Sequence, residues 1–369
     1  MLIESIEAVP IEIPLSRNFG GSTYAVTRRS TVITRMRTKA GLVSEVYNGD
    51  NREHGREIAR LIREALAPRV RGLDIFEGER VWERMFALTH AMGQRKILLE
   101  AIACVDCALW DLVGKALGRS VCSLLGGYRR RLPIISIGGY YMEGKTLADI
   151  GREMEAYRRA GMAGCKFKVG GLAPEEDARR VEAARAAAGA DFVLAVDANR
   201  GWSVAEAVRF ARLVEPLDIR WFEEPCHWYD DAAMMAAVRR QTRIPITAGQ
   251  SEISSHGVRR LVEAGAVDCV NFDASEGGGV TDWRRAAAVC GTAGVQMAHH
   301  EESQIARHLL AAVPHGTYAE CFADPDRDPV WQSMWANRPA AKDGAIEVPD
   351  EPGFGLILDE SMVQRHRIG

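Results

Sequence analysis

The sequence predicts an α/β fold, a parallel (β/α) barrel of the TIM type that carries a smaller α+β capping domain. The chain has 369 residues, more than one typical domain contains. From about residue 133 onward, short apolar runs alternate with amphipathic helical stretches, whereas the preceding residues lack this alternation. The apolar runs number eight, which is the number of strands that closes such a barrel.

The first part of the chain predicts strands and loops. Residues 1 to about 45 alternate apolar and polar side chains, a pattern typical of strands. A glycine-rich stretch at 17–24 and the turn residues at 48–50 predict loops. We expect these loops to lie over the mouth of the barrel.

Helical patterns follow from about residue 51 to residue 118. Lys115 lies in the last predicted turn and Gly118 just beyond it, as at the end of a helix. Of eight cysteines, only Cys104 and Cys107 are close in sequence, and both fall inside this pattern. A CxxC redox motif would open a helix, and no second CxxC completes a zinc site, so we expect buried, inert thiols.

The eight apolar runs predict the barrel strands. They are 133–137, 164–169, 192–197, 219–224, 245–249, 268–273, 294–299 and 317–320. The tail from about residue 335 lacks another repeat and should pack back on the first domain. The predicted organisation is therefore a capping domain at 1–125, a catalytic barrel at 126–334 and a returning segment at 335–369.

Composition limits the classes of function. A net charge of −3 gives no electrostatic reason to bind nucleic acid or an anionic membrane. No apolar run approaches the roughly 18 residues of a membrane span. The N-terminus is typical of a strand rather than of a signal peptide, so we expect a cytoplasmic protein. We also expect a small-molecule carboxylate as the partner, and a homo-oligomer.

Two lysines mark the second barrel strand. Lys166 and Lys168 are two residues apart, so both ammonium groups point into the barrel. Repulsion between them favours a neutral amine and hence a usable base. Because lysines at a strand end are usually just solvated, the pair alone does not establish catalysis.

Oxygen ligands end the next three strands. They are Asp197 and Asn199, then Glu223 and Glu224, then Gln250 and Glu252. Carboxylate and amide oxygens are the ligands that Mg²⁺ prefers. Residues of this kind can instead cap the following helices, but caps explain two adjacent glutamates poorly. We therefore favour a metal site.

The last three strands add acid–base groups. The sixth ends at Asp273, the seventh offers His299 and His300, and the eighth ends at Glu320. An aspartate that orients an imidazole makes the histidine an effective general base. A lone histidine is more often structural, but here it faces the lysines across the barrel. The sequence thus places bases on two faces of one metal-bound carboxylate.

This arrangement suits removal of a proton from the carbon next to a carboxylate. Such a proton is very weakly acidic, because the ene-diolate adds charge to a group that is already negative. A divalent cation stabilises that charge, and a hydrogen-bond donor supports the second oxygen. Glu320, if protonated, could be the donor.

The chain resembles the enolase superfamily, and within it the mandelate racemase subgroup, over essentially its whole length. Besides the strand-end residues, the resemblance rests on Ala108-Leu109-Trp110-Asp111-Leu112 with the following Gly114-Lys115-Ala116-Leu117-Gly118, and on Gly277-Gly278-Gly279-Val280-Thr281. It implies a (β/α)7β barrel and one Mg²⁺ ion.

The resemblance also implies roles. Lys166-Phe167-Lys168 resembles the K-x-K motif of the subgroup, in which the second lysine is the base for one face of the substrate. Asp273 and His300 resemble the Asp–His dyad that serves the other face. Glu320 resembles the acid that hydrogen-bonds the substrate carboxylate.

The implied metal ligands depart from the family pattern at one position. Asp197 and Glu223 resemble the first two ligands, but the third, an acidic residue after glycine, is here Gln250. A glutamine oxygen can bind Mg²⁺ with one negative charge fewer, and hence more weakly. Glu252, a water bridge or loss of tight metal binding are the alternatives.

Two reactions are open. If one base removes the α-proton and the other returns it, the enzyme is a racemase or epimerase of a 2-hydroxy acid. If the substrate has a β-hydroxyl that His300 protonates as it leaves, the enzyme is a dehydratase that forms a 2-keto-3-deoxy acid. A polar lid favours a sugar acid, an aldonate or aldarate, and so dehydration. The lid loops at 17–24 and 47–53 carry Arg17, Asn18, Tyr24, Asn48, Asp50 and Asn51.

The expected substrate-binding residues are Asn18, Tyr24, Asn199, Glu252 and His299. Gln250 also allows another class of function, a catalytically impaired barrel that only binds its ligand. The presence of both lysines, the dyad and Glu320 argues against it. A nucleotide site would rest on the glycines at 277–279, and no G-x-G-x-x-G motif lies between a strand and a helix.

Overall fold

A computed structural model describes residues 1–50, 53–227 and 230–369. The first region is an antiparallel sheet packed on helices. Its elements are β1 (Ile3–Gly20), β2 (Ala25–Thr38), β3 (Val46–Tyr47), α1 (Gly55–Leu61), α2 (Ala67–Val70), α3 (Gly78–Phe86), α4 (Arg95–Leu117) and α5 (Val121–Leu124). A π-helical turn, Ile62–Leu66, joins α1 to α2, and a 3-10 turn, Ala87–His90, follows α3.

The long helix α4 ends as its sequence predicts. Gly118 adopts a left-handed conformation with φ of 62°, which closes the helix after Lys115 and Leu117. Cys104 and Cys107 lie buried in the middle of this helix, and all eight cysteines are free and buried. The expectation of buried cysteines is confirmed, and burial raises the pKa of both thiols, which disfavours the reactive thiolate.

The barrel contains eight parallel strands, one for each predicted apolar run. They are β4 (Arg131–Gly138), β5 (Gly164–Lys168), β6 (Val193–Asp197), β7 (Ile219–Glu223), β8 (Ile246–Ala248), β9 (Cys269–Val270), β10 (Gln296–Met297) and β11 (Ala319–Cys321). Their order around the barrel is β10-β9-β8-β7-β6-β5-β4-β11. A parallel bridge between Met297 and Gly316 closes the ring between β10 and β11.

Seven helices follow the first seven strands. They are α6 (Leu147–Arg159), α7 (Pro174–Ala188), α8 (Val204–Val214), α9 (Asp231–Arg239), α10 (Ser255–Glu263), α11 (Gly279–Ala293) and α12 (Ser303–Ala312). Thr146 and Ser203 begin α6 and α8 with capping boxes, in which Asp149 and Glu206 bond back to the cap. The expected (β/α)7β barrel is confirmed.

The barrel interior is filled below its mouth. Ile135, Ala195 and Trp221 form a small buried cluster from three different strands, against which Tyr318 packs. Such layers of side chains close a barrel of eight strands, so that reacting groups can lie only at the carboxyl ends of the strands.

The tail contacts both parts of the molecule. It contains a π-helical turn, Val330–Met334, then β12 (Ala345–Glu347) and α13 (Glu360–His366). The sequence does not predict β12, which adds antiparallel to β4. The end of the chain reaches β1, where the Ile368 N–H donates to the Pro10 carbonyl over 2.9 Å. The division of the chain at 125/126 and 334/335 stays a prediction.

The stretch 17–24, predicted as a loop, is instead the end of a β-hairpin. Strand β1 continues to Gly20 and β2 begins at Ala25, with a turn in which the Gly21 N–H donates to the Tyr24 carbonyl over 2.8 Å. The hairpin pairs with the barrel through a bridge between Gly20 and Tyr141. Pairing of this kind satisfies the backbone, which explains why a glycine-rich stretch is extended here.

The 47–53 loop, which the sequence predicts over the barrel mouth, is described in part. Asn51 lies outside the described residues, whereas the Asn48 amide donates to the Ser275 carbonyl over 3.0 Å. The 47–53 loop therefore contacts the segment that follows β9.

Among the described residues, no helix combines the length and hydropathy needed to cross a membrane.

A buried arginine joins the capping sheet to the barrel. Arg29, on β2, is fully buried and forms ion pairs with Glu302, Asp328 at 3.1 Å and Asp50 at 3.8 Å. Removing one partner of such a cluster would leave an uncompensated buried charge. The contact fixes the segment that begins α12 relative to the cap.

Candidate active site

Register between neighbouring strands brings the predicted residues together. Lys168 on β5 pairs with Asp197 on β6, which in turn pairs with Glu223 on β7. Neighbouring strands lie about 4.8 Å apart, so these side chains meet at one edge of the barrel. All three are buried.

Each lysine forms an ion pair with a carboxylate. The Lys168 ammonium lies 2.6 Å from Asp197 Oδ2 and 3.1 Å from Asn199 Oδ1. The Lys166 ammonium lies 3.0 Å from Glu223 Oε1 and 2.8 Å from Glu320 Oε2. The two cations are thus held apart, by different sets of oxygens.

These pairs contradict the expectation that lysine–lysine repulsion gives a neutral amine. Burial lowers the pKa of Lys166, but attraction to Glu223 and Glu320 outweighs it and raises the pKa overall. Burial also lowers the pKa of Lys168, but attraction to Asp197, together with smaller contributions from its other neighbours, raises it overall. Both side chains are therefore ammonium groups in this structure.

Glu223 accepts hydrogen bonds from three directions. Besides Lys166, Asn271 Nδ2 donates to Oε1 over 2.9 Å and Trp221 Nε1 donates to Oε2 over 3.2 Å. Burial of the carboxyl raises its pKa, in opposition to the attraction from Lys166. Asn271 and Trp221 thus orient a carboxylate that has no contact with solvent.

Gln250, at the third ligand position, forms a side-chain hydrogen bond to the described residues through its amide nitrogen but not through its amide oxygen. Gln250 Nε2 donates to Glu224 Oε2 over 2.8 Å, because a carboxylate only accepts. Gln250 Oε1 is therefore left buried without a hydrogen-bond partner among the described residues. Gly249, which precedes Gln250, has a φ of 139°, a backbone conformation that residues with a side chain rarely adopt.

Asp197, Glu223 and Gln250 fit a hard cation. They offer two carboxylates and one amide oxygen from consecutive strands, and an unpartnered buried acceptor is what a missing cation would satisfy. Glu252, the alternative ligand, instead pairs with Arg260 at 3.0 Å on the outer side of α10. The Gln250 oxygen is the better candidate for the third ligand.

A second group of possible ligands lies beside the dyad. Asp273, Glu276 and His300 each place one ligand atom within 4.8 Å of the others. However, Asp273 Oδ1 already accepts from the Ser275 N–H and hydroxyl, both over 2.7 Å, and Oδ2 lies 3.2 Å from His300. The group therefore resembles an acid–base cluster more than a metal site.

His300 lies between two carboxylates. Its Nδ1 is 3.2 Å from Asp273 Oδ2, and its Nε2 is 3.4 Å from Glu301 Oε1. Burial lowers the pKa of the imidazole, but Glu301 and Asp273 raise it overall to about 10. Burial raises the pKa of Asp273, yet the two histidines and Ser275 lower it overall to about 2. His300 is therefore an imidazolium at neutral pH.

Glu320 is an acceptor in this structure. Its Oε2 accepts from Lys166 over 2.8 Å and from the Glu301 N–H over 3.1 Å. The predicted acid thus lies between the lysine side and the histidine side of the mouth.

His299 does not fit the expected contact with substrate. The backbone N–H of Ala274 donates to His299 Nε2 over 3.0 Å, and Nδ1 donates to the His300 carbonyl over 2.9 Å. The ring is fully buried and its pKa is lowered, chiefly by burial. Both nitrogens are occupied, so His299 is a structural histidine.

The other expected substrate contacts lie at different distances from the lysines. The Tyr24 ring centroid is 5.9 Å from Lys168 Nζ, and Asn199 binds that same nitrogen. Asn18 is exposed on β1, and Arg17 pairs with Asp324 at 2.8 Å. Of the expected substrate-binding residues, Tyr24 and Asn199 are the two that the structure places beside Lys168.

Strained backbone gathers at the strand ends. Five non-glycine residues there have positive φ, namely Asn199, Arg200, Glu224, Glu301 and Glu302. Left-handed conformations of such residues are uncommon and often lie at functional sites. The strain supports the location of the site.

Sequence reasoning missed three residues of the mouth. Asn271 lies two residues before Asp273, so strand alternation could have revealed it. The position of Glu301 directly after His300 predicts a polar group near the site, but nothing in the sequence places it at Nε2. Tyr140 and Arg327 lie beyond the first and last strands, where no motif marks them.

Comparisons with known proteins cover nearly the whole chain. Residues 6–126 match the family model described as mandelate racemase / muconate lactonizing enzyme, N-terminal domain. Residues 149–362 match the one described as enolase C-terminal domain-like.

Similar proteins include enzymes that act on sugar acids. A 3,6-anhydro-alpha-L-galactonate cycloisomerase of Streptomyces coelicolor is 30% identical over 100% of both chains. An arabinonate dehydratase of Saccharolobus solfataricus is 29% identical over 78% of both. A crystal structure of a mandelate racemase/muconate lactonizing enzyme from a marine actinobacterium, in complex with magnesium, has 45% identity and a TM-score of 0.93, covering 100% of this chain and 99% of that one.

The Gln250 ligand can be tested by Mg²⁺ titration. In a Gln250→Glu variant the added negative charge should tighten Mg²⁺ binding by about 10-fold or more, measured by isothermal titration calorimetry. Glu252→Gln is the matched control and should leave the affinity unchanged, because Glu252 pairs with Arg260. Equal affinity in wild type and Gln250→Glu would show that position 250 does not bind the ion.

Proposed function

Because this chain belongs to the mandelate racemase/muconate lactonizing enzyme family of the enolase superfamily, we propose that it dehydrates a sugar acid to a 2-keto-3-deoxy acid. The observation that carries the proposal is the position of His300 between two carboxylates. An imidazolium held there is ready to protonate a leaving hydroxyl group.

The chain is an enzyme, and Mg²⁺ is its cofactor, since close structural neighbours are solved with magnesium. Asp197, Glu223 and Gln250 would hold the ion. When bound, it would supply positive charge that stabilises the negative charge developing on the substrate carboxylate.

Lys168 would remove the α-proton. Its ammonium is held by Asp197 and Asn199, so it becomes a base only after losing a proton and the Asp197 partner. Lys166 and Glu320 form a buried pair beside it that would orient the substrate carboxylate. The β1–β2 hairpin pairs with the barrel between Gly20 and Tyr141 and would help to exclude water from these groups.

His300 would complete the reaction on the other side. With Lys168 as the base, dehydration requires an imidazolium that protonates the leaving hydroxyl group, and racemisation requires one that returns a proton to the α-carbon. Only racemisation in the opposite direction, which begins with proton removal by His300, requires a neutral imidazole. Because Asp273 and Glu301 raise the pKa of His300 to about 10, the donor form predominates. The donor form serves dehydration in every turnover but racemisation in one direction only, so we favour dehydration.

The names of relatives agree with a sugar acid as the substrate class. They include the arabinonate dehydratase and the anhydrogalactonate cycloisomerase described above, and an L-rhamnonate dehydratase of Saccharopolyspora erythraea. Racemisation of a 2-hydroxy acid remains the second candidate. A binding protein without catalysis is not favoured, because the lysines, the dyad and Glu320 lie together. The homo-oligomer stays a prediction.

A substrate screen tests the proposal. Wild-type protein with Mg²⁺ is incubated in D₂O with a panel of aldonic and aldaric acids. We expect at least one acid to give a 2-keto acid, detected with semicarbazide. NMR should show deuterium at C3 of this product, or at the α-carbon of recovered substrate. A panel with neither product nor exchange would contradict proton abstraction, and exchange with inversion but no 2-keto acid would indicate a racemase.

The role of Glu301 predicts a change in the pH profile. His300 is an imidazolium below its raised pKa and loses the proton as the pH rises through it, so kcat for dehydration falls on the alkaline side. Glu301→Gln removes the carboxylate at Nε2, and this alkaline limb should move to lower pH by about one unit or more. Glu301→Asp keeps the charge and should keep the limb near wild type. An unmoved limb in Glu301→Gln would exclude control of His300 by Glu301.

A further inference from the structure

A third cation is buried at the barrel mouth. Arg327, which follows β11, is 3% exposed. Its guanidinium carbon lies 4.2 Å from the ring centroid of Phe322 and 5.3 Å from that of Tyr140. Both rings belong to a small hydrophobic cluster between the β1–β2 hairpin and the barrel. Stacking fixes the plane of the guanidinium but uses none of its N–H groups.

Those N–H groups lack partners. Arg327 Nε and Nη1 are buried without a hydrogen-bond partner among the described residues, where the side chain also forms no ion pair within 4.0 Å. Arg29, equally buried and in the same region, is matched by Glu302, Asp328 and Asp50. The contrast shows that nearby carboxylates are already committed to Arg29.

A buried guanidinium with unsatisfied N–H groups favours a hydrogen-bond acceptor, because unsatisfied donors are costly away from water. Burial lowers the pKa of Arg327, but attraction from its surroundings, including Glu301 and Asp50, raises it overall, so the side chain is a stable cation. It lacks only hydrogen-bond acceptors for Nε and Nη1 among the described residues. The planar N–H fork of arginine matches a carboxylate with two parallel hydrogen bonds. A ligand carboxylate would satisfy the fork.

The groups without hydrogen-bond partners lie near Lys168. The Tyr140 ring that stacks with Arg327 is 5.9 Å from Lys168 Nζ. The hydroxyl of Tyr140 is also buried without a partner among the described residues. Arg327 and Tyr140 thus have unused hydrogen-bonding groups in the neighbourhood of Lys168, apart from the ion pair of Lys166 and Glu320.

We propose that Arg327 and Tyr140 form a subsite for a second carboxylate of the substrate, at the end of the carbon chain remote from the reacting α-carbon. The substrate class is then an aldaric acid, which carries a carboxylate at each end, rather than an aldonic acid. This inference rests on the proposed function, because it takes the reacting carboxylate to lie at Lys166 and Glu320.

Matched pairs of acids test the subsite. kcat/KM is measured with galactarate against galactonate and glucarate against gluconate, in the presence of Mg²⁺. Equilibrium binding by calorimetry is measured for any pair that is not turned over. The variants are Arg327→Gln, Arg327→Lys and Tyr140→Phe. Arg338→Gln is the control, because Arg338 also stacks on an aromatic ring, that of Trp331 at 5.4 Å, but is exposed.

We expect wild type and Arg338→Gln to favour a diacid over its monoacid. Arg327→Gln should lower kcat/KM or affinity for the diacid by about 10- to 100-fold, the range for a lost charged hydrogen bond, and bring the diacid/monoacid ratio toward one. Arg327→Lys should recover part of the loss, because it keeps the charge without the fork. Tyr140→Phe should show a smaller loss in the same direction.

An unchanged diacid/monoacid ratio in Arg327→Gln, or a wild type that favours monoacids, would overturn the subsite. The two proposals fail in different ways. Turnover of both kinds of acid without any dependence on Arg327 would leave dehydration standing and remove the subsite. Diacid binding that depends on Arg327, without turnover or exchange of any acid, would leave the subsite standing and remove the proposed reaction.

Discussion

The barrel mouth depends on one constraint, that every charge buried there must be balanced by another. Two ammonium groups are two residues apart on β5, and each is neutralised by carboxylates that strand register brings beside it. In a medium of low dielectric constant a charged lysine is far more stable beside a carboxylate than without one. The carboxylates that hold the lysines are also those that fit a divalent cation, so the lysines and the ion share one set of oxygens.

The same constraint divides the mouth into regions with different chemistry. On the side of β6 to β8, oxygens outnumber cations, and Gln250 adds an oxygen without adding charge. At the end of β10, two carboxylates surround one imidazole and make it an acid. Beyond β11, Arg29 takes the available carboxylates and leaves Arg327 unmatched. The mouth thus offers metal ligands, an acid and a cation at three separate positions. A sugar acid, which carries polar groups along its carbon chain, would use all three.

Much of the fold could be predicted from the sequence, because each barrel strand is a short apolar run whose polar residues begin where it ends. The strand-end residues Asp197, Glu223 and Asp273 follow from that pattern. The protonation state of Lys168 does not, since it depends on Asp197 across a strand pair rather than on Lys166 along the chain. The sequence also predicts substrate contact for His299, yet both of its ring nitrogens bond to backbone groups. Arg327 belongs to a tail without periodicity, so only packing reveals it.

The central claim, that one set of strand-end oxygens binds both the lysines and the ion, is tested most directly by a crystal structure of the protein grown with Mn²⁺. Anomalous scattering should locate one ion between Asp197, Glu223 and Gln250 Oε1, at about 2.0 to 2.3 Å from each, the range of Mg²⁺ and related sites. Lys168 Nζ should then have moved away from Asp197 Oδ2. An ion between Asp273, Glu276 and His300, with both lysine pairs intact, would contradict the account.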